Sequence, residues 1–169
     1  MAEVFIGFGS NLGQREKNIQ KALQILSEHP QIMITRISSL FETEPVEMES
    51  KNLFLNGAVQ VQTVLIPQKL APLLENIELK MGRPKDEKGK KQDRAIDLDL
   101  LFYNDLIFSI PGLTVPHPQA HRRRFVLLPM LEIAPEFEHP YFRVPLKQML
   151  DSLESKEKVT PCPNLTISL

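Results

Sequence analysis

Arg94-Ala95-Ile96-Asp97-Leu98-Asp99-Leu100-Leu101-Phe102-Tyr103 alternates apolar and acidic residues at the two-residue period of a strand. Read that way, Ile96, Leu98, Leu100 and Phe102 form one apolar face. Asp97 and Asp99 stand side by side on the other, at the same end as Arg94. Aspartate is disfavoured in strands, and like charges on neighbouring same-face positions repel. A positive counter-charge is therefore expected between them. A hard divalent cation such as Mg²⁺ is one candidate; a solvated edge strand with both acids in water is the other.

Immediately upstream, residues 83–94 hold six basic and three acidic residues and, apart from Pro84, nothing apolar. Such a segment reads as a mobile, charged loop. Its position beside an acid pair suits a polyphosphate–metal ligand: Arg and Lys hold phosphate oxygens while carboxylates hold ions. Before the loop, Pro67 opens a helix over about 68–81, with Leu70, Leu73, Leu74 and Ile77 facing the core and Gly82 closing it. Further back, Phe54–Thr63 alternates as a strand with Asn56 and Gly57 near its start. An acidic, proline-containing loop precedes it from Glu42 to about Lys51. Residues 32–41 are β-branched-rich and form another strand. Residues 12–28 carry Ile19, Leu23 and Leu26 at helical spacing, with Ser10 and Asn11 offering N-cap oxygens. Val4–Gly9 is the first strand, weakened by Gly7 and Gly9, which leave room for a close approach on one face.

Downstream, Asn104-Asp105 turns the chain back so that residues 106–108 pair with the acid-bearing strand. An extended Leu113–Pro118 and a helix over about Ala120–Glu132 follow, the helix kinked or broken at Pro129. From Phe137 a strand-like piece, a short helix near Leu146–Leu153 and an extended tail complete the chain. The order strand–helix–strand–strand–helix–strand is the β-α-β-β-α-β core of an α+β, ferredoxin-like sandwich with an antiparallel sheet, followed by a C-terminal hairpin and helix. Two helices bury one sheet face. The other is left free for the glycines, Asn56 and the acid pair. The 169 residues make one domain, with a core at about 4–136 and a peripheral extension at 137–169.

Composition narrows the function. A net charge of −1 gives no basic field for nucleic acid or an anionic membrane. One cysteine, Cys162, excludes an internal disulfide and argues against a Cys-based zinc site. The apolar run 4–8 is too short to span a bilayer. A cytoplasmic monomer binding small molecules is the expectation. Three consecutive arginines, Arg122–Arg124, cannot share one helical face, so at most one or two reach a single ligand.

Several short motifs occur together and in order: Gly9-Ser10-Asn11-Leu12-Gly13, Phe54-Leu55-Asn56-Gly57-Ala58-Val59, Glu78 through Gly82-Arg83, Arg94-Ala95-Ile96-Asp97-Leu98-Asp99, Pro116-His117-Pro118 and Glu132-Ile133-Ala134-Pro135. Over about Val4 to Glu136 the chain closely resembles the 6-hydroxymethyl-7,8-dihydropterin pyrophosphokinases of folate biosynthesis. The resemblance implies transfer of the β,γ-pyrophosphoryl group of ATP to the pterin hydroxymethyl oxygen, releasing AMP. It implies two Mg²⁺ ions held by Asp97 and Asp99, with Arg83 and Arg94 acting on the phosphates and Arg94 moving with its loop. It places the pterin against Thr43, Glu44 and Val46, read by Asn56 and stacked between Phe54 and Phe125. ATP falls to Glu78, Lys85, Arg94, Leu100, Thr114, His117 and Arg123.

The chain departs from that pattern in places. It has no tryptophan for the loop, where Lys91 is the nearest aligned residue, so charge rather than an aromatic wedge would hold the loop closed. Lys85 replaces an arginine, Pro118 a tyrosine, and Glu44 a proline common there. Two other functions share some of these features. A ferredoxin-like nucleic-acid-binding module would need exposed sheet aromatics in an RNP-like pattern, which this sequence lacks. A metal-dependent phosphohydrolase would use the same acids without the pterin.

Overall fold

The computed structural model describes residues 1–45, 48–83, 92–155 and 157–169. Nine residues from Ala2 to Ser10 form β1, and α1 covers Arg15–Ser27. Strands β2 (Ile32–Ile37), β3 (Phe41–Thr43) and β4 (Phe54–Thr63) follow. Helix α2 (Pro67–Lys80) then leads to β5 (Asp97–Tyr103). All pairings in the main sheet are antiparallel: β5 pairs with β1, β1 with β4, and β4 with both β2 and β3. This is the ferredoxin-like order, with its second strand divided in two.

That division corrects the single strand expected over 32–41. Ser38 sits where the strand breaks. Its backbone N–H donates to the Ala58 carbonyl at 2.9 Å, and its hydroxyl accepts from the Ala58 N–H at 2.9 Å. One buried serine thus satisfies both groups of Ala58 while the chain steps from β2 to β3.

Val4, Ile6 and Phe8 of β1, Leu55, Val59 and Val61 of β4, Leu98 and Leu100 of β5, and Ile96 just before it pack under Ile19, Leu23 and Leu26 of α1 and Leu70, Leu74 and Ile77 of α2. Each strand set follows the period of two, and each helix set the period of 3.6. Phe102 breaks the pattern. Phe5 pairs with Phe102 but Ile6 with Leu100, so Leu101 is the extra residue of a β-bulge. Past the bulge the chain changes face, and Leu101 and Phe102 both join the second core with Phe5 and Ala58. The unbroken apolar face expected through Phe102 ends at Leu100.

The second sheet face is not free over its whole length. A 3-10 turn at Ala120–Arg122 and α3 (Arg124–Ile133) cover its lower half through Val126, Leu127, Met130 and Ile133. The expected single helix from Ala120 is therefore interrupted at Arg123, whose backbone is extended. Pro129 does not end α3, which continues to Ile133. The expected pairing of 106–108 with β5 does not form either. Instead β6 (Phe108–Ile110) pairs with β7 (Leu113–Val115), and β8 (Glu138–His139) pairs with β9 (Val144–Pro145). After α4 (Leu146–Asp151), the tail expected to be simply extended adds β10 (Val159–Pro161) to the main sheet, against β3.

Candidate active site

On the uncovered upper half of the second face, residue types line up across the strands. Asp97 is paired with Gly9, and Gly9 with Asn56, giving one row; Asp99, Gly7 and Ala58 give the next. Adjacent strands lie about 4.8 Å apart, so Asp97 and Asn56 stand roughly 10 Å from each other with glycine between. The floor has to be glycine at Gly9: a Cβ there would come within 2.6 Å of Asn56 Oδ1 and 3.4 Å of Phe54 Cδ1. The result is a cleft of about 560 Å³ with carboxylates at one side and an amide at the other.

Of the residues singled out from the sequence, Thr43, Glu44, Phe54, Asn56, Glu78, Arg83, Arg94, Asp97, Asp99, Leu100, Thr114, His117, Arg123 and Phe125 all line this cleft. Val46, Lys85 and the greater part of the charged loop, residues 84–91 with Lys91 among them, lie outside the described residues. The side chain of Leu100 points into the helix-side core, so only its backbone edge is offered to a ligand.

On the amide side, Asn56 is 6% exposed and its Nδ2 donates to the Thr43 hydroxyl at 2.6 Å. That bond fixes the amide's orientation, with Oδ1 over Gly9. Phe54 and Phe125 are half-buried at the cleft wall rather than sealed in the core. Arg123 lies over the Phe125 ring, 5.6 Å from its centroid.

On the acid side, Arg94 Nη1 donates to Asp97 Oδ1 at 2.9 Å, and Arg83 Nη1 lies 4.0 Å from the same oxygen. Loss of water at the cleft base raises the Asp99 carboxyl to about 8, and the charges of Asp97 and Glu78 add to the rise; Arg123 and Arg94 oppose it. Glu78 rises to about 7, chiefly from burial. Its role is partly structural. Strand β5 is the sheet edge, and Glu78 Oε1 accepts the Leu98 N–H at 2.8 Å while Oε2 pairs with Arg83. Further along β5, the His117 N–H donates to the Leu101 carbonyl at 2.9 Å. His117 Nδ1 accepts from the Gln119 N–H at 3.1 Å, so the ring proton sits on Nε2. Burial, then Arg123, lowers its pKa to about 4, which keeps it neutral.

Asn11 was expected to cap α1. The helix instead begins at Arg15, with no side-chain cap. Asn11 holds the base of the charged loop: its Oδ1 accepts the Arg94 N–H at 2.6 Å, and its own N–H donates to the Arg94 carbonyl at 3.0 Å. Its Nδ2 donates to Asp93 Oδ1 at 2.8 Å. Met48, Glu75 and Gln92, none of them singled out from the sequence, also line the cleft.

The model of the 7,8-dihydro-6-hydroxymethylpterin-pyrophosphokinase (HPPK) family matches residues 5–135. The chain belongs to the HPPK family. As a member it transfers a pyrophosphoryl group from ATP to hydroxymethyldihydropterin, a step of folate biosynthesis. It is 38% identical over 148 residues to the 2-amino-4-hydroxy-6-hydroxymethyldihydropteridine pyrophosphokinase of Aquifex aeolicus, covering 88% of this chain and 90% of that one. It is also 38% identical over 152 residues to the folic acid synthesis protein fol1 of Schizosaccharomyces pombe, of which it spans only 20%. A crystal structure of Plasmodium falciparum HPPK-DHPS with pteroate superposes with a TM-score of 0.71 over 89% of this chain and 44% of that one. At 15% identity that likeness shows the HPPK fold alone. Among the described residues, no helix is long and apolar enough to cross a membrane.

Proposed function

We propose that the row Asp97–Gly9–Asn56 divides the HPPK cleft into a nucleotide side on β5 and a pterin side on β4, with the pyrophosphoryl group passing over the glycine floor. This row is the observation that carries the reading. The amide donates and accepts at once, so Asn56 can match a pterin's mixed hydrogen-bonding edge. The Thr43, Glu44 and Val46 segment supplies the rest of that edge, and Phe54 and Phe125 bound the flat ring.

On the other side, Asp97 and Asp99, when both are ionised, offer hard, acceptor-only oxygens whose mutual repulsion calls for a cation. Among the described residues no group of three or more His, Cys, Asp or Glu could hold a metal. Two carboxylates fit Mg²⁺, whose remaining positions go to phosphate oxygens and water. When bound, two such ions neutralise the triphosphate and orient it for in-line displacement. Arg83 and Arg94, both already directed at Asp97, are placed to turn to phosphate oxygens as these approach. Arg123 and neutral His117 donate to the nucleotide, Thr114 lies beside them, and Lys85 adds charge from its loop. Glu78 holds the edge of β5 and sets Arg83.

Among the described cleft residues, neither His117 nor Glu78 suits general-base work: His117 is too weak a base, and Glu78 is tied to Leu98 and Arg83. Positioning and charge neutralisation supply the acceleration, as a loose phosphoryl transition state allows. The unpaired thiol of Cys162 suits a reducing cytoplasm.

Titrations of two variants test the division of the cleft. Asn56→Ala should weaken pterin binding and leave binding of Mg²⁺ with a non-hydrolysable ATP analogue intact, while Asp99→Asn does the reverse. Equal losses of both ligands in both variants would refute it. In turnover with the native chain, AMP and no ADP should form, and only when the pterin is present.

A further inference from the structure

The C-terminal segment lies beyond residues 5–135 that the family model matches, yet it touches two walls of the pterin side. Helix α3 has no side-chain cap of its own at Arg123. Its first amides therefore need an outside acceptor. Glu157 supplies one from 33 residues further along the chain: Oε2 accepts the Arg124 N–H at 3.2 Å. Burial raises the Glu157 carboxyl above the usual carboxylate range, and the Arg124 and Phe125 N–H groups and the charges of Arg123 and Arg124 oppose the rise. Its other oxygen, Oε1, is buried with no hydrogen-bond partner among the described residues. A carboxylate kept out of water in this way is held by the helix start it faces. Two residues later the same segment enters β10, where Val159 pairs with Thr43, the residue whose hydroxyl orients Asn56.

We propose that Glu157 is a positioning residue for the transfer, capping α3 so that Phe125 and Arg123 keep their places in the cleft, while β10 steadies Thr43. The segment acts as a strap across the pterin pocket: one end fixes the stacking wall, the other the hydrogen-bonding wall. The proposal rests on the assignment of Phe125 to the pterin side.

The test compares Glu157→Gln, Phe125→Ala and, as a control, Glu154→Gln at an exposed position of the same segment. Hydroxymethyl-dihydropterin is titrated with Mg²⁺ and a non-hydrolysable ATP analogue present, and amide exchange is followed at residues 124–126. Glu157→Gln, which keeps one acceptor oxygen but removes the charge, should raise the pterin Kd by about threefold, the scale of a charge lost at a helix start, and speed exchange at the start of α3. Its KM for pterin should rise while kcat recovers at saturating pterin, a split that general destabilisation would not produce. Glu154→Gln should change neither. If Phe125→Ala weakens pterin binding and Glu157→Gln does not, the positioning role is overturned. If Phe125→Ala itself leaves pterin binding unchanged, the assignment of Phe125 has failed and the proposal falls with it.

Discussion

Asp99→Asn should stabilise the metal-free protein, and by more at high pH. In the folded chain the Asp99 carboxyl ionises at about 8 rather than 3.8, because burial and the neighbouring Asp97 charge disfavour the carboxylate. A carboxyl raised in this way gives its full stability below its unfolded pKa. That stability is lost as pH rises through the interval up to its folded pKa, where the unfolded chain releases a proton the folded chain retains. At 1.36 kcal/mol per unit, the interval sets a ceiling of ~6 kcal/mol. The cleft is open and Asp99 is half-buried, so water screening brings the realised effect to ~2 kcal/mol. Asparagine keeps the shape and removes the charge. Urea unfolding in the presence of a chelator should therefore show a small difference between variant and native chain near about pH 4.5. The difference should reach ~2 kcal/mol in favour of the variant near about pH 8.5. Adding Mg²⁺ with a non-hydrolysable ATP analogue should reverse the ranking, since only the native carboxylate gains a ligand. A variant no more stable at high pH than at low, or less stable than the native chain at about pH 8.5, would refute the account of the acid pair.

Gly9→Ala should cost pterin affinity more than stability. The added methyl would meet Asn56 Oδ1 at 2.6 Å, and the amide can only move by giving up its bond to Thr43. Titration should show a loss of about tenfold or more for pterin and little for the nucleotide. Asn11→Ala removes the acceptor for the Arg94 N–H and the link to Asp93. It should lower kcat by about 10- to 100-fold through misplacement of Arg94, with pterin affinity measured at equilibrium nearly unchanged. Equal loss of both quantities would assign Asn11 a general structural role.

Much of this site could be read in the chain because its chemistry sits in short strands whose alternation fixes the face of each side chain. Asp97 with Asp99, Gly7 with Gly9, and Asn56 each announce themselves within a few residues. What local pattern could not reveal was which residues hold the site in place. Asn11 had the spacing of a helix cap and became the clasp of the charged loop. Glu132, quoted as part of a motif, lies at the far end of α3 from Phe125. There it accepts the Ser39 N–H at 2.7 Å, while Arg36 donates to the neighbouring Ile133 carbonyl at 2.8 Å. Glu157 stood in a tail with no pattern at all.

The sequence by itself determined the two helix stripes, the order of strands and helices along the chain and the face shared by the acids, the glycines and Asn56, since these follow from periodicities of two and 3.6 along continuous segments; the register that sets Asp97, Gly9 and Asn56 in one row came from the pairing of three strands. The tertiary structure alone decided the bulge at Leu101, because the ladder can absorb an extra residue only where a paired neighbour sets the register. That bulge turns Phe102 from the face expected of it onto the second face, where it packs with Phe5 beneath α3. The core under α3 therefore begins where the acid-bearing part of β5 ends. Asp97 and Asp99 keep the side the alternation gave them. How they are held is a matter of distance through space, through Glu78 on the edge of β5 and Arg94 clasped by Asn11.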